Sequence, residues 1–438
     1  MKAYNQWASK LGFIMATAGA AVGLGNLWKF PYLMGRNGGF PFLIAYLIFV
    51  CVLGVPVMIT EMSLGRKTRH DPVQAYADIH PHARIVGVFG ILAAFIILSY
   101  YSVIGGWIVS YATTLHAPAD FNGFIANGTE PVVWHLIFMV ATTAICFFGI
   151  RGIEKASKFM MPMLFVLLLI IIARSVTLPN AGEGLKFIFS PAGSSFSITS
   201  VSAAVGQVFY SLSLCMGITI TYGSYLSDQE SIPKSCASVA GLDTAVAVLA
   251  GLAIFPAVFS FGLEPGQGPG LIFGTLPKVF SSIAGGAVFA LAFFILVFFA
   301  AVTSAIALLE VVISFAIDTL GWERKKATLI LGTLVFLTGI PSALSYGVLG
   351  DLTIANYSVF DFVGMLTDNI LLPCGGITMC YYIGWKWKPE YLVEEMEKGG
   401  NVFRLKRLWI LCIRFLTPVL VGIVTISGLI SVYGVVFQ

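Results

Sequence analysis

The chain has 438 residues, of which 58% are hydrophobic and 11% are charged, with a formal net charge of +4 at pH 7. This composition and a mean hydropathy of +0.91 exceed what a water-soluble globule can bury, and they indicate a protein embedded in lipid. The small net charge gives no indication of nucleic acid as a partner.

Apolar stretches of about 20 residues recur along the chain, each long enough to cross a hydrocarbon core of about 30 Å as a helix. Eleven spans are predicted, at about 11–34, 39–64, 86–115, 132–150, 157–178, 199–226, 236–262, 287–319, 327–345, 356–384 and 408–436. The predicted fold class is therefore an all-α membrane protein with a single transmembrane domain over 1–438.

Basic residues test this topology. Most of the 25 Lys and Arg residues fall on one side of the membrane if the N-terminus is cytoplasmic, as in the segments 66–84, 324–326 and 386–407. Because Lys and Arg concentrate in short cytoplasmic loops, we expect a multi-pass protein of the inner or plasma membrane with a cytoplasmic N-terminus.

Two spans carry glycines and polar side chains at mid-membrane depth, in the stretches 19–26 and 206–217. Such residues are unfavourable in a helix that faces lipid. Close helix packing would explain either stretch alone. Their places as the first and sixth spans instead fit two five-helix repeats of inverted topology, each with one broken helix at a central site. The repeats would cover about 11–178 and 199–384, with an extra helix at about 408–436.

Several motifs follow one another in a fixed order, at 7–13, 19–31, 37–39, 61–66, 100–101, 206–217 and 300–304. In this order they resemble the neurotransmitter:sodium symporter family, particularly its bacterial amino-acid transporters. The resemblance covers essentially the whole chain. It implies a leucine-transporter-like fold and sodium-coupled symport by alternating access.

The resemblance implies two sodium sites made of oxygen ligands, which hard cations require. The first site would take the carbonyl of Ala21 and the side chains of Asn26, Ser211 and Asp243. The second would take the carbonyls of Gly19, Val22 and Ala300 and the hydroxyls of Thr303 and Ser304. Without the family, these two hydroxyls could equally bond back to their own helix.

Asp243 is the most informative single residue, because a carboxylate within an apolar span is costly unless a cation or a donor meets it. The family usually has asparagine here, and its chloride-dependent members bind an anion beside this site. A built-in acid would supply the same charge, which predicts chloride independence. The alternative is a structural acid that is hydrogen-bonded or protonated.

The substrate is expected to bring its own carboxylate, because amine-carrying relatives have an acidic residue where this chain has Gly25. The amides around Leu24 and Gly25 and the hydroxyl of Tyr101 would receive that carboxylate. The resemblance places the remaining substrate-binding residues at Ala21, Ile97, Tyr210, Ser211, Ser213, Met216, Ser304, Ala307 and Leu308. These mainly apolar walls favour large aliphatic or aromatic L-amino acids.

Closures are expected on both faces. Lys29 and Asp361 match the family's outer gate pair, which lies above a lid formed by Tyr101 and Tyr210. Lys29 replaces the usual Arg, and a Lys cannot form the bidentate ion pair that an Arg makes with a carboxylate.

At the inner face, Asp318 and Tyr225 match the family's gate. Tyr4 replaces the expected basic residue, so Lys2 is the candidate substitute.

The predicted function is symport of a neutral, hydrophobic L-amino acid with two sodium ions, in contact with the lipid bilayer and without an organic cofactor. Two alternatives stay open: a carrier of another carboxylate-bearing amine or osmolyte, GABA-like or betaine-like, and a non-transporting amino-acid receptor on the same fold. An enzyme is not indicated, because the five histidines lie in loops or near span ends. The sequence gives no prediction of oligomeric state.

Overall fold

Helices account for nearly all regular structure. A computed structural model describes residues 6–113, 120–190, 196–262 and 271–436. In chain order the helices are α1 (Lys10–Ala21), α2 (Gly25–Arg36), α3 (Phe40–Thr68), α4 (Pro72–Ala77), α5 (Pro81–Thr113), α6 (Phe121–Ala126), α7 (Glu130–Phe147), α8 (Gly149–Ser175), α9 (Ala181–Phe189), α10 (Ile198–Ser211), α11 (Ile218–Ser224), α12 (Ile232–Ser260), α13 (Leu276–Ser281), α14 (Gly286–Asp318), α15 (Arg324–Ala343), α16 (Val359–Lys386), α17 (Glu390–Met396) and α18 (Lys406–Gly434). Two short strands, β1 (Thr353–Ile354) and β2 (Tyr357–Ser358), pair antiparallel.

Within the described residues, nine helices are long and apolar enough to cross a membrane, and the pair α1 and α2 forms a tenth, bent span. The pair α10 and α11 occupies the position of the predicted sixth span, interrupted at 212–217. The eleven predicted spans are therefore all present as helices, and the two irregular ones are broken. The repeat boundaries at 11–178 and 199–384 stay a prediction.

The first break bends the chain by 50° between α1 and α2. Ser9 begins α1 by accepting a hydrogen bond from the Gly12 N–H, and the Glu154 carboxylate of α8 accepts from the Ala8 N–H and the Ser9 hydroxyl, each at 2.8 Å. At the break, the Asn26 side-chain oxygen accepts from the Gly23 N–H at 3.1 Å. The side chain therefore replaces a main-chain acceptor that the helix would otherwise supply.

The second break has three residues in left-handed backbone conformation: Ser213 (φ 51°), Cys215 (φ 60°) and Gly217 (φ 75°). Two of them carry side chains, for which this conformation is unusual. Glu61 of α3 supports the segment by accepting from the Thr219 hydroxyl at 2.6 Å and from the Cys215 N–H at 3.3 Å. The unwound chain is thus held by a buried carboxylate from a neighbouring helix.

The broken helices lie at the centre of the bundle. The long helices α5 and α14 pack beside them and are the most buried spans, whereas α18 is the least buried. The face of the bundle at which α1 begins is called the N-terminal face below, and the other the opposite face. Because α5 and α14 flank both breaks, their side chains line the space between the two breaks.

Candidate functional site

A cluster of buried polar side chains joins the two breaks to α12. The Asn26 amide donates to the Ser211 hydroxyl at 3.1 Å and to the Asp243 carboxylate at 2.7 Å. Ser211 donates to the same carboxylate at 2.9 Å, and the Tyr46 hydroxyl of α3 lies 3.2 Å from it. All four side chains are fully buried. This break cluster (Asn26, Tyr46, Ser211, Asp243) therefore brings together the three side chains predicted for the first sodium site.

Tyr46 was not among the predicted site residues. It lies in the third helix within the apolar run 40–50 and looks like a core aromatic residue in the sequence. The position of its hydroxyl deep in a membrane span could have identified Tyr46, because a buried hydroxyl needs a hydrogen-bond partner.

A second polar contact lies where α14 meets the end of α1. The Ser304 hydroxyl is 3.2 Å from the Ala20 carbonyl, 3.4 Å from that of Gly19 and 3.5 Å from that of Val22. Thr303 instead donates to the Phe299 carbonyl of its own helix at 2.9 Å. The predicted residues of the second sodium site thus lie together, and Thr303 adopts the back-bonded geometry that was the alternative.

Between these two polar contacts lies a cavity of about 30 Å³. Its lining consists of Ala20, Ala21, Gly23, Leu24, Gly25, Ile97, Tyr101, Tyr210, Ser213, Met216, Ile218, Ser304 and Leu308. Ten of these were predicted, and Ala20, Gly23 and Ile218 were missed. Ala307 is buried outside this lining, and Ser211 belongs to the break cluster.

The cavity has one polar end, where the start of α2 meets Tyr101 and Ser304. The Leu24 N–H is 3.4 Å from the Tyr101 hydroxyl. A Cβ added at Gly23 would lie 2.5 Å from Ser304 Oγ, and one at Gly25 would lie 2.9 Å from a ring carbon of Tyr210. Glycine is therefore needed at both positions for the side chains of α5, α10 and α14 to approach the break.

Toward the opposite face, Lys29 closes the cavity. Its ammonium is 2.9 Å from the Asp368 carboxylate and 4.1 Å from the centre of the Tyr210 ring. Beyond this contact a vestibule of about 700 Å³ opens between α2, α10, α16 and α18.

The structure does not bring Lys29 and Asp361, the predicted outer gate pair, together. Asp361 lies in the first turn of α16, where its carboxylate accepts from the Ser358 hydroxyl at 2.7 Å. Asp368 follows seven residues later, about two helical turns or 10 Å along the axis, and only this carboxylate reaches the level of Lys29.

Toward the N-terminal face, aromatic rings close the bundle. The Trp7 ring lies 5.2 Å from Tyr222 and 6.2 Å from Tyr225, and its indole N–H donates to the Tyr222 carbonyl at 3.1 Å. Tyr225 donates to the Glu310 carboxylate at 3.0 Å, and Glu310 pairs with Arg324 at 2.5 Å. This contact of Tyr225 with Glu310 was not predicted from the sequence.

The other predicted inner-gate residue, Asp318, accepts from the Asp71 N–H at 3.1 Å. Tyr4 and Lys2 lie outside the described residues. Glu310 could have been predicted as a functional residue from the sequence, because it is an acid within the eighth apolar span and the same reasoning identified Asp243.

Spanning helices with two breaks that meet at a small central cavity define a membrane carrier. A model of the sodium:neurotransmitter symporter family matches residues 4–118 and 122–438. The chain therefore belongs to the sodium:neurotransmitter symporter family. It is a multi-pass, sodium-dependent membrane transporter, and the predicted family and fold class are confirmed.

Similar proteins cover nearly the whole chain. An uncharacterized sodium-dependent transporter of Bacillus subtilis, YhdH, is 38% identical over 97% of this chain and 98% of its own length. The crystal structure of MhsT in complex with L-phenylalanine has a TM-score of 0.89 and 44% sequence identity, and the match covers 97% of this chain and 99% of that one. A more distant relative is the human sodium- and chloride-dependent GABA transporter 2, 26% identical over 94% of this chain and 78% of its own length.

Proposed function

We propose that this chain carries neutral, hydrophobic L-amino acids together with two sodium ions and does so without chloride. The observation that carries the proposal is the position of the Asp243 carboxylate, which lies in the break cluster beside a cavity with apolar walls and one polar end. The similar protein MhsT was solved with L-phenylalanine, a ligand of this class.

In this proposal the first sodium replaces hydrogen-bond donors of the break cluster. The Ala21 carbonyl, Asn26, Ser211 and Asp243 are its ligands, and Asp243 contributes a full negative charge where a chloride-dependent carrier would need an anion. The second sodium lies among the carbonyls of α1 and the hydroxyls of α14 (Gly19, Val22, Ala300, Thr303, Ser304). Thr303 needs a rotation of its side chain to release the Phe299 carbonyl.

The substrate carboxylate would meet the amides around Leu24 and Gly25, the Tyr101 hydroxyl and the first sodium. Its ammonium would meet carbonyls of the unwound segment near Ser211 and Ser213, and its side chain would lie against Ile97, Met216 and Leu308. The protein would reside in the plasma membrane with the N-terminal face toward the cytoplasm, since the predicted topology puts most Lys and Arg residues on that side.

Uptake by proteoliposomes tests this function. Labelled L-phenylalanine and L-leucine are expected to accumulate with external sodium and to stop when potassium replaces it, and replacing chloride by gluconate should leave uptake unchanged. GABA, taurine and betaine serve as competitors. Competition by these solutes with none by L-phenylalanine would identify another substrate class, and sodium-dependent binding without uptake would indicate a receptor.

The contact of Lys29 with Asp368 gives a matched pair of variants at the two acids of α16. Asp368→Asn is expected to speed dissociation of a bound labelled amino acid by severalfold, because a half-buried ion pair contributes up to about 1 kcal/mol. Asp361→Asn should leave the dissociation rate unchanged. The pairing with Asp368 would be refuted if only Asp361→Asn altered the rate.

A further inference from the structure

The short helix α4 is wedged beneath the second break at the N-terminal face. A Cβ added at Gly217, where α11 begins, would lie 2.8 Å from Pro72 Cγ, and one at Gly87 of α5 would lie 2.4 Å from the Pro72 carbonyl oxygen. Pro72 therefore fills the space between α5 and α11. The start of α11 cannot move toward this face unless α4 moves with it.

One carboxylate ties α4 to the end of α14. Asp71 precedes α4 and accepts from the Val73 N–H at 2.8 Å, while its second oxygen accepts from the Thr319 hydroxyl at 2.9 Å. The Asp71 N–H donates to the Asp318 carboxylate at 3.1 Å. Only 1% of Asp71 is exposed. When α4, packed against α11, separates from α14 at this face, the contacts with Asp318 and Thr319 break and the carboxylate becomes hydrated.

We propose that Asp71 is a positioning residue whose protonation state controls how tightly the N-terminal face is closed. The inference rests on alternating access in this transporter family and not on the identity of the substrate. It assigns a role to a residue outside both proposed sodium sites and the cavity.

The surroundings of Asp71 favour its neutral form. Burial raises the pKa of Asp71 from its usual 3.8 to about 6, against the hydrogen bonds from Thr319 and Val73, and the nearby Asp318 carboxylate acts in the same direction as burial. Other ionisable side chains near α4 have contacts of their own. Arg69 pairs with Asp228 and His70 with Asp78, the His80 ring contacts His82 and Tyr382, Tyr225 donates to Glu310, and the Glu61 carboxylate of α3 accepts from Thr219.

The pH dependence of closure is set by the different environments of Asp71 in the closed and open states. In the open state Asp71 is hydrated and has its ordinary pKa, so the closed state binds the proton more tightly. Protonation therefore stabilises closure, and closure weakens as the pH rises through about 6. For a shift from 3.8 to about 6, the ratio of open to closed protein should increase about tenfold between about pH 5 and pH 7.5.

A cysteine reporter measures this ratio. Ser314 on α14 is buried, with its hydroxyl 3.4 Å from that of Thr221 on α11, so a thiol introduced by Ser314→Cys becomes reactive only when the two helices separate. The full chain in nanodiscs, without sodium, is treated with a maleimide at pH 5 to 7.5. The signal of protein without the reporter is subtracted to remove the native cysteines.

Asp71→Asn in the same background mimics the protonated acid, and dividing the two labelling rates at each pH cancels the pH dependence of the thiol itself. The ratio of parent to Asp71→Asn labelling is expected to rise about tenfold across this range. The matched control is Asp78→Asn, an acid on the same segment paired with His70, for which the ratio to the parent should be flat.

A parent to Asp71→Asn ratio that stays within twofold across this range would overturn the proposal, as would an equal rise with Asp78→Asn. If Asp71→Asn is not monodisperse, Thr319→Val replaces it. Loss of this hydroxyl removes a hydrogen bond that favours the charged carboxylate, so the midpoint of labelling should move to higher pH. An unchanged midpoint would refute the role of Asp71.

Discussion

Asp243→Asn is expected to weaken sodium binding about 100-fold and to make transport depend on chloride. A unit charge about 4 Å from a cation contributes about 4 kcal/mol at an effective dielectric constant of about 20, and part of this is offset by the cost of burying the carboxylate. The asparagine retains the shape of the acid, and its oxygen can still accept from the Asn26 amide, so the fold should persist.

The measurement is sodium-dependent binding of a labelled amino acid in gluconate and then in chloride. Tyr46→Phe is the matched control, since it removes a hydroxyl 3.2 Å from the same carboxylate but leaves the charge. Loss of one such hydrogen bond should change sodium affinity by only severalfold. If Asp243→Asn binds sodium normally in gluconate, Asp243 is a structural acid and the proposed chloride independence has another cause.

Ser304→Ala is expected to lower sodium affinity by about 10-fold or more and to reduce the number of sodium ions coupled to each substrate. A hydroxyl contact with a charged group contributes about 1.5–3 kcal/mol, and alanine offers no replacement. The Ser304 hydroxyl already lies within 3.5 Å of three carbonyls at the end of α1, which is where the second ion would be held.

The test is the Hill coefficient and midpoint of sodium activation of uptake. Ser314→Ala on the same helix is the control, because that hydroxyl donates to the Val311 carbonyl of its own helix. Equal effects of the two variants would show that Ser304 acts through general packing of α14. Unchanged sodium activation in Ser304→Ala would remove this residue from the second site.

Much of the site followed from the sequence because its chemistry is conspicuous in an apolar chain. Asn26 and Asp243 are polar groups within long apolar spans, and such groups are expensive in lipid unless they have partners. The glycine-rich stretch 19–26 likewise marked the first break. The family resemblance then assigned neighbours to these residues, and ten of the thirteen residues that line the cavity are among those predicted.

Two of the differences between prediction and structure share one cause. Asp361 and Asp368 lie on one helix, and hydropathy does not show which of them reaches Lys29. Ala307 is one residue, about 100° around the helix axis, from Leu308, which does line the cavity. These differences depend on how far each helix is shifted and rotated against its neighbours.

The sequence by itself determined that the chain spans a membrane, how many helices it uses and which two are interrupted. It could do so because backbone polar groups in lipid must be satisfied within each helix, so that every span is encoded locally. Only the tertiary structure decided the partners: Tyr46 with Asp243, Lys29 with Asp368, and Asp71 with Thr319, which are 248 positions apart in the chain. Such contacts depend on helix register and rotation, and neither is encoded in the local pattern of apolar residues.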